Sequence, residues 1–282
     1  MVIKITIPLH VTGFWKPIYA KTPLYTGSIG AGINLSECLT VYAEKSSENT
    51  LFYNEKKIHF PTIDYVFNKI PCRIKVRAYS KGVLGAGYGL SGALALGVSI
   101  AGLILCKEKT TLEEAASRAH VAEVLASTGL GDVIAEYYGG FEARIRPGPP
   151  GIGMVVKLPV DPSVRIVAIS LGTYETRAML QQYGPKHGLL ASSYLDQLLK
   201  NPDILYFMEL SRSFTKQLFD YSLAEKTISP IRRLILDYYL KKRVLVLLVE
   251  KDRVNDITDY LEKNNIGYIV SRVKYSGVEI EY

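Results

Sequence analysis

The stretch Gly82–Ala101 contains no charged residue and belongs to a longer uncharged run between Lys81 and Lys107. It begins as a glycine-rich loop, and a run of small and apolar residues follows from Ser91. Glycines let backbone N–H groups turn inward around an anion, and a helix that begins here points its positive end at that anion. The pattern predicts a phosphate-binding loop that leads into a helix.

Other interpretations of this stretch fit less well. No Gly-Lys-Ser/Thr follows the glycines, so the loop is not a Walker A motif, and the spacing in Gly85–Gly89 does not match the dinucleotide fingerprint. The apolar run Leu90–Leu105 is shorter than the roughly 20 residues that a membrane span needs. We therefore expect a buried helix, packed closely through Gly97 and Gly102. The glycine-rich segment by itself also fits a plain turn or a packing loop, and the neighbouring residues are needed to choose between these interpretations.

The composition allows one large domain or two smaller ones, since the chain has 282 residues of which 48% are hydrophobic. The net charge is +7, but the positive residues are scattered, which does not favour a nucleic-acid-binding protein. The denser clusters Arg232–Arg233 and Lys241–Arg243 are interpreted as solvated surface. A mild positive excess also suits an enzyme with anionic substrates.

The cysteines favour a reducing compartment, because Cys38, Cys72 and Cys106 are odd in number and lack the spacing of a metal site. The N-terminal segment Met1–Ile5 is typical of a strand and not of a signal peptide. We therefore expect a cytoplasmic protein that is not bound to a membrane.

The first part of the chain is rich in predicted strands. Val2–Leu9 alternates as a strand, and His10–Trp15 is expected to leave it. Pro147–Gly153 is the strongest chain-breaking segment and predicts a boundary between residues 1–153 and 154–282. The second part is expected to be an α+β unit with helical patterns at Tyr174–Gln182, Ala191–Leu199, Ile204–Phe219, Ile228–Tyr239 and Val254–Lys263.

Three oxygen-bearing residues after the loop are of the types that phosphoryl transfer requires. Ser91 and Glu123 are ligands that Mg²⁺ accepts, and Asp132 is a carboxylate able to orient or deprotonate a hydroxyl. His120 lies three residues before Glu123, so the two share one helix face. Structural roles stay open for each: a helix N-cap for Ser91 and Asp132, a solvated position for Glu123, and a core histidine for His120.

The segment Gly87–Ala93 resembles the phosphate loop of the GHMP small-molecule kinases. Glu123, Gly131-Asp132 and Gly139-Gly140 follow in the order of that family's metal-binding glutamate, Gly-x-Asp and Gly-Gly strand. Tyr88, Leu90 and Gly92 depart from the family pattern. These departures, and four further segments, are similar to the archaeal pantoate kinases: Val11–Phe14, Thr26–Gly32, Ala119–Val124 and Gly129–Gly151.

The resemblance implies an α+β GHMP kinase fold, with an N-terminal domain like domain 2 of ribosomal protein S5 and a ferredoxin-like C-terminal domain. It implies ATP-dependent, Mg²⁺-assisted phosphorylation of the primary hydroxyl of pantoate for coenzyme A synthesis, and a homodimer. Another small hydroxylated acceptor or a non-catalytic relative stays open, and nucleic-acid binding is remote.

The resemblance also assigns roles to residues. Asp132 would align the hydroxyl as a catalytic residue, together with Ser91 and Glu123, which would hold Mg²⁺. The nucleotide would be bound by Gly85, Ala86, Gly87, Tyr88, Gly89, Leu90 and Ser91. The substrate would be bound by Ser28, His120, Arg144 and Thr176, with Arg144 on the carboxylate; a surface or interdomain salt bridge is the alternative for Arg144.

Overall fold

Two long antiparallel strands, β1 (Val2–Ile18) and β2 (Gly27–Lys45), form the centre of the first sheet. The prediction that His10–Trp15 leaves the strand is wrong, because this segment stays paired with β2. It is fully buried, and two register shifts in the pairing accommodate its irregular residues. The structure, a computed structural model, describes residues 1–174, 176, 179 and 183–281.

The first sheet has the strand order β12-β1-β2-β5-β3-β4, and β6 and β7 extend it from β2. The predicted boundary after Gly153 falls between β6 and β7, which pair with each other. Proline and glycine favour turns wherever a chain reverses, so they mark this connection between paired strands as they would mark a linker. The shorter strands are β3 (Thr50–Tyr53), β4 (Lys56–Ile58), β5 (Ile74–Tyr79), β6 (Phe141–Arg146), β7 (Met154–Leu158) and β12 (Glu279–Glu281).

Helix α2 (Leu90–Leu105) is the buried helix that the uncharged stretch predicts. A Cβ atom at Gly97 would lie 2.8 Å from Val41 Cγ2, and one at Gly102 would collide with Ile70, so both glycines permit close packing. No helix in the described part of the chain is long and apolar enough to cross a membrane. The helices around α2 are α1 (Pro61–Lys69), α3 (Leu112–Ala126) and α4 (Asp132–Tyr138).

The second sheet has the antiparallel order β11-β8-β10-β9. Counted within this unit, the strand order is 4-1-3-2 with a β-α-β-β-α-β succession, which is the ferredoxin-like arrangement expected from the resemblance. The strands are β8 (Val164–Ser170), β9 (Asp237–Lys241), β10 (Val244–Glu250) and β11 (Tyr268–Ser271). The helices are α5 (Pro185–Lys200), α6 (Ile204–Thr215), α7 (Ser222–Ile228) and α8 (Val254–Lys263).

One predicted helix of the second unit is wrong. Ile228–Tyr239 forms a 3₁₀ turn, Ser229–Leu234, followed by β9. Its apolar residues recur with helical spacing, but every residue of β9 is buried in the sheet, and that tertiary burial outweighs the local pattern. The predicted helix Tyr174–Gln182 lies mostly outside the described residues.

An aromatic cluster joins the two units. Phe14 of β1 packs against Phe207 and Phe214 of α6, with ring centroids 6.0 and 6.5 Å apart. Gly13 allows this approach, since a Cβ atom there would collide with Phe207 and Ser211. The packing holds α6 against β1, next to the strand segment that leads into the site.

Cys72 and Cys106 form a disulfide between the ends of α1 and α2, with Cα atoms 5.5 Å apart. Cys38 is the free cysteine among the described residues. The interpretation of all three residues as reduced thiols is therefore wrong for this pair. Sequence spacing carried no sign of the bond, because it depends on two helices ending side by side.

Candidate active site

A cavity of about 800 Å³ lies where the two units meet. The phosphate loop and the turn before α4 form part of its wall, and the connection between β9 and β10 closes it from the second unit. Polar groups from four separate parts of the chain converge there, at Ser28, Ser91, Asp132 and Lys242. A concave site of this size with a few convergent polar groups is typical of a small-molecule pocket.

The phosphate loop has the left-handed backbone that only glycine adopts without strain. Gly85, Gly87 and Gly89 have φ values of 84°, 131° and 73°. Gly89 is the N-cap of α2 and supplies no side-chain cap, which leaves N–H groups of the first turn for an anion. All members of the predicted nucleotide-binding set Gly85–Ser91 line the cavity except Ala86, which is fully buried behind it.

Ser91 and Glu123 are directly joined. Ser91 Oγ donates a hydrogen bond to Glu123 Oε1 at 2.6 Å, and Thr128 Oγ1 donates to the same oxygen at 2.6 Å. Ser91 is thus not the N-cap, and Glu123, only 2% exposed, is not a solvated residue. Burial raises the pKa of Glu123 to about 7, although the two hydrogen bonds lower it in part.

The remaining oxygen of this glutamate is suited to a cation. Glu123 Oε2 is buried and has no hydrogen-bond partner in the described structure. Within the described ranges, no group of three or more His, Cys, Asp or Glu side chains could hold a metal by itself. Mg²⁺ commonly takes one or two protein oxygens and completes its shell with phosphate oxygens and water, so Ser91 and Glu123 fit a nucleotide-bound Mg²⁺.

Asp132 is the first residue of α4, and its side chain is 23% exposed at the cavity. It does not cap the helix, because the N-cap is Gly131 and no side-chain cap bond forms. Asp132 Oδ1 lies 2.8 Å from His10 Nδ1. Burial alone raises the pKa of Asp132, but the hydrogen bond from His10 and nearby positive charges outweigh it and hold the pKa below the usual range. Asp132 is therefore an ionised carboxylate.

The two carboxylates converge. A Cβ atom at Gly129 would collide with Glu123 Oε2 and would lie 3.4 Å from Asp132 Oδ2. Gly129 thus leaves open the space between the carboxylates of Glu123 and Asp132. Closeness of a cation ligand and a hydroxyl-orienting carboxylate is the arrangement expected of a site for in-line phosphoryl transfer.

Three of the four predicted substrate residues line the cavity, namely Ser28, Arg144 and Thr176. Arg144 is 1% exposed and pairs with Glu142 of the same strand, a buried ion pair that is neither on the surface nor between the two units. Its Nε has no partner in the described structure, which leaves a donor free beside Ser28. A buried guanidinium with a free donor is suited to a carboxylate ligand.

His120 does not line the cavity. It is 1% exposed, and its Nε2 lies 2.7 Å from the carbonyl oxygen of Thr26. Burial lowers the pKa of His120, which favours the neutral ring. The spacing correctly placed His120 on a buried helix face, but the structure directs the side chain to the segment that carries Ser28, where it supports that segment rather than facing the cavity.

The interpretation of Lys241–Arg243 as solvated surface is wrong. Lys241 and Lys242 line the cavity, and Lys241 is only 8% exposed. Burial lowers the pKa of Lys241 to about 7 and also lowers that of Lys242. A basic cluster in a turn is usually solvated. Because this cluster is far from the phosphate loop in sequence, nothing in the sequence indicated that the two would meet at the cavity.

Sequence reasoning also missed His10, Glu136 and Glu142. His10 is fully buried between two carboxylates, and its Nε2 lies 3.1 Å from Glu142 Oε1. Glu136 is fully buried beneath the phosphate loop, and both of its carboxyl oxygens lack a partner in the described structure. Burial raises the pKa of Glu136 well above its ordinary value, so the group is held neutral. Glutamate is seldom fully buried without a partner and histidine is buried at intermediate frequency, but the positions of these three residues in the sequence carried no sign that they would be buried.

A glycine loop at a helix N-terminus, a joined hydroxyl and carboxylate, and an ionised aspartate in one cavity are the parts of a small-molecule kinase. Residues 56–140 match the model of the GHMP kinases N-terminal domain. The chain belongs to the GHMP kinase family.

Its relatives include named pantoate kinases. The pantoate kinase of Thermococcus kodakarensis is 32% identical over 295 residues, covering 97% of this chain and 96% of the relative. That of Methanocaldococcus jannaschii is 34% identical and covers 73% of this chain and 77% of the relative. A solved phosphotransferase related to the CoA biosynthesis pathway matches with a TM-score of 0.87 at 27% identity, covering 100% of this chain and 99% of that one. Mevalonate-3-kinase from Thermoplasma acidophilum matches with a TM-score of 0.70 at 12% identity, covering 100% and 98%, which shows the shared fold.

Proposed function

We propose that this chain is an ATP-dependent kinase that phosphorylates the primary hydroxyl of pantoate to 4-phosphopantoate. The observation that carries the proposal is the convergence of Glu123 and Asp132 beside the phosphate loop, in a chain whose relatives are pantoate kinases over nearly its whole length. Phosphoryl transfer requires a phosphate-binding loop, a cation ligand and a carboxylate that orients the hydroxyl. The loop, Ser91 and Asp132 line one cavity, and Glu123 lies buried directly behind Ser91, to which it is hydrogen-bonded.

The phosphates of ATP would lie on the backbone of Gly85–Ser91, with the dipole of α2 directed at them. Ser91 and Glu123 would hold Mg²⁺, which supplies positive charge against the phosphates. Asp132 would accept the hydroxyl proton as the acceptor oxygen bonds to the γ-phosphorus and the bond to the β-phosphate oxygen breaks.

The carboxylate of pantoate would be bound by Arg144, with hydroxyl donors from Ser28 and Thr176. Arg144 has a free Nε in a buried setting, where a charge-assisted hydrogen bond is stronger than in water. His120 would act indirectly, by holding the backbone at Thr26 and hence the position of Ser28.

The test is an acceptor panel with the purified protein and Mg-ATP. Release of ADP with pantoate, together with a product of phosphomonoester mass, is expected; mevalonate and homoserine serve as comparison acceptors. Turnover of mevalonate or homoserine with no reaction of pantoate would contradict the substrate assignment. Asp132→Asn and Glu123→Gln should each lower kcat by at least about 100-fold, and activity unaffected by both changes would contradict the assigned roles.

A further inference from the structure

Three consecutive basic residues, Lys241 at the end of β9 and Lys242 and Arg243 in the turn to β10, are here called the basic turn. Its backbone is fixed to the phosphate loop: Arg243 N donates to the carbonyl oxygen of Ala86 at 3.0 Å. A Cβ atom at Gly87 would lie 2.6 Å from the carbonyl oxygen of Lys241, so the glycine is needed for this contact. The second unit thus holds positively charged side chains at a fixed position in the cavity where the two units meet.

The cations of the basic turn have no carboxylate ion-pair partner within the described ranges. Among the residues that the structure describes, Lys242 Nζ donates to a neutral hydroxyl, Thr176 Oγ1, at 2.5 Å. Lys241 Nζ lies 3.7 Å from the centroid of the Trp15 ring, a cation–π contact that fixes its direction. Buried cations are costly unless an anion accompanies them, so these side chains are arranged for an anionic ligand.

The two lysines have different surroundings in the cavity that Ser91 and Asp132 also line. Lys241 Nζ is held over the Trp15 ring, whereas Lys242 Nζ contacts the hydroxyl of Thr176. Lys242 is therefore the lysine whose charge stays available to an anion in the cavity. In an in-line transfer, the space between Ser91 and Asp132 is occupied by the phosphoryl group as it leaves the nucleotide.

We propose that the basic turn is a second anion site, beside the phosphate loop, in which Lys242 binds the non-bridging oxygens of the phosphoryl group during transfer. The inference deepens the proposed function and rests on it. The bond from phosphorus to the β-phosphate oxygen breaks, its electron pair stays with ADP, and the acceptor oxygen bonds to phosphorus while its proton passes to Asp132. Lys242 stabilises the charge on the equatorial oxygens and keeps its protons, as a positioned cation does in this chemistry.

The experiment compares binding of Mg-ADP alone with binding of Mg-ADP plus fluoroaluminate, a mimic of the phosphoryl group in transfer. For Lys242→Met we expect the affinity for Mg-ADP to stay within about threefold of the unchanged protein, while the gain from fluoroaluminate is lost and kcat falls by about 100- to 1000-fold. Lys242→Arg, which keeps the positive charge, should recover part of the gain from fluoroaluminate and part of kcat. Lys263→Met, at the exposed end of α8, is the matched control.

Fluoroaluminate binding by Lys242→Met at the level of the unchanged protein would overturn the inference. A kcat of Lys242→Met within about threefold of that of the unchanged protein would also overturn the inference. If Lys242→Met does not fold, as judged by its melting temperature, Lys242→Gln takes its place with the same expected and opposing results. The binding comparison needs no acceptor. If the unchanged protein fails to phosphorylate pantoate but binds fluoroaluminate through Lys242, the result would contradict pantoate as the acceptor and support the second anion site.

Discussion

His10 Nδ1 lies 2.8 Å from Asp132 Oδ1, and the opposite ring nitrogen lies 3.1 Å from Glu142 Oε1. The ring of His10 is fully buried, and its hydrogen bond lowers the pKa of Asp132. β1 thus provides a side chain that fixes the carboxylate at the start of α4 and helps to keep it ionised. Two segments more than 100 residues apart in the chain build this pair.

His10→Ala should lower kcat by about 10- to 100-fold, because a small misplacement of Asp132 is enough for a loss of that size. Since His10 lowers the pKa of Asp132, its removal should also move the acid limb of the kcat/KM profile to higher pH. Thr12→Val is the matched control, as its hydroxyl lies 3.5 Å from the same oxygen and is too far for a strong bond. A folded His10→Ala variant with unchanged kcat and profile would contradict the positioning role.

Gly131→Ala should weaken acceptor binding selectively. The new Cβ atom would lie 2.5 Å from Ser28 Oγ and 2.8 Å from Arg144 Nε, so both side chains must move. We expect KM for pantoate to rise by about 10- to 100-fold, the loss of one or two charge-assisted hydrogen bonds, with KM for ATP unchanged within about threefold. Gly267→Ala, which meets no atom within 4 Å, should leave both constants unchanged. Equal rises in both constants would contradict the assignment of Ser28 and Arg144 to the acceptor.

Glu136→Gln should change the pH dependence of stability. Burial raises the pKa of Glu136 in the folded protein, so above the unfolded pKa the folded state binds more protons than the unfolded state. This group therefore destabilises the fold progressively as pH rises above about 4.3, by about 1.4 kcal/mol per pH unit while it stays neutral in the folded state. A glutamine side chain does not titrate, so it makes no such pH-dependent contribution to the free energy of unfolding.

The measurement is the free energy of unfolding from urea titrations of the metal-free protein between pH 5 and pH 8. Glu136→Gln should match the unchanged protein at the acidic end and become increasingly more stable than it towards pH 8. Parallel stability curves for the two proteins would show that Glu136 is not held neutral.

The disulfide should stabilise the end of α2 that lies away from the phosphate loop. Cys72 and Cys106 are separated by 34 residues, and closing a loop of that length restricts the unfolded chain by about 3 to 4 kcal/mol. The double change Cys72→Ser and Cys106→Ser should lower the free energy of unfolding by that amount, and a reductant should have the same effect on the unchanged protein. Cys38→Ser is the control and should have little effect; an equal loss there would point to general packing instead of the bond.

Local features of the fold were predictable where neighbouring residues in sequence determine them. The loop Gly85–Ser91 needs positive φ at its glycines, and the residue type shows this directly. The uncharged run after it permits only a buried helix, which α2 is. Thr111 stands three residues before Glu114, the spacing of a capping box, and it accepts a hydrogen bond from Glu114 N at 3.2 Å at the start of α3. In each case the physical constraint acts over a few residues.

Some predictions failed because distant parts of the chain decide the outcome. Ile228–Tyr239 has the apolar spacing of a helix, yet its end becomes a strand because β10 offers a buried edge to pair with. The basic residues Lys241 and Lys242 have the composition of a solvated turn, yet both line the cavity. Local pattern is a weak guide wherever burial between sheets supplies more free energy than propensity does.

The amino-acid sequence by itself determined the phosphate loop, the helix behind it and the order of the acidic residues that follow. Only the tertiary structure decided that His10 would meet Asp132, that Lys241 and Lys242 would leave the surface for the cavity, and that Glu136 would lie uncharged beneath the loop. The reason is physical: the pKa and the partner of a titratable side chain depend on the surroundings assembled by folding, and these come from strands and turns far apart in the chain.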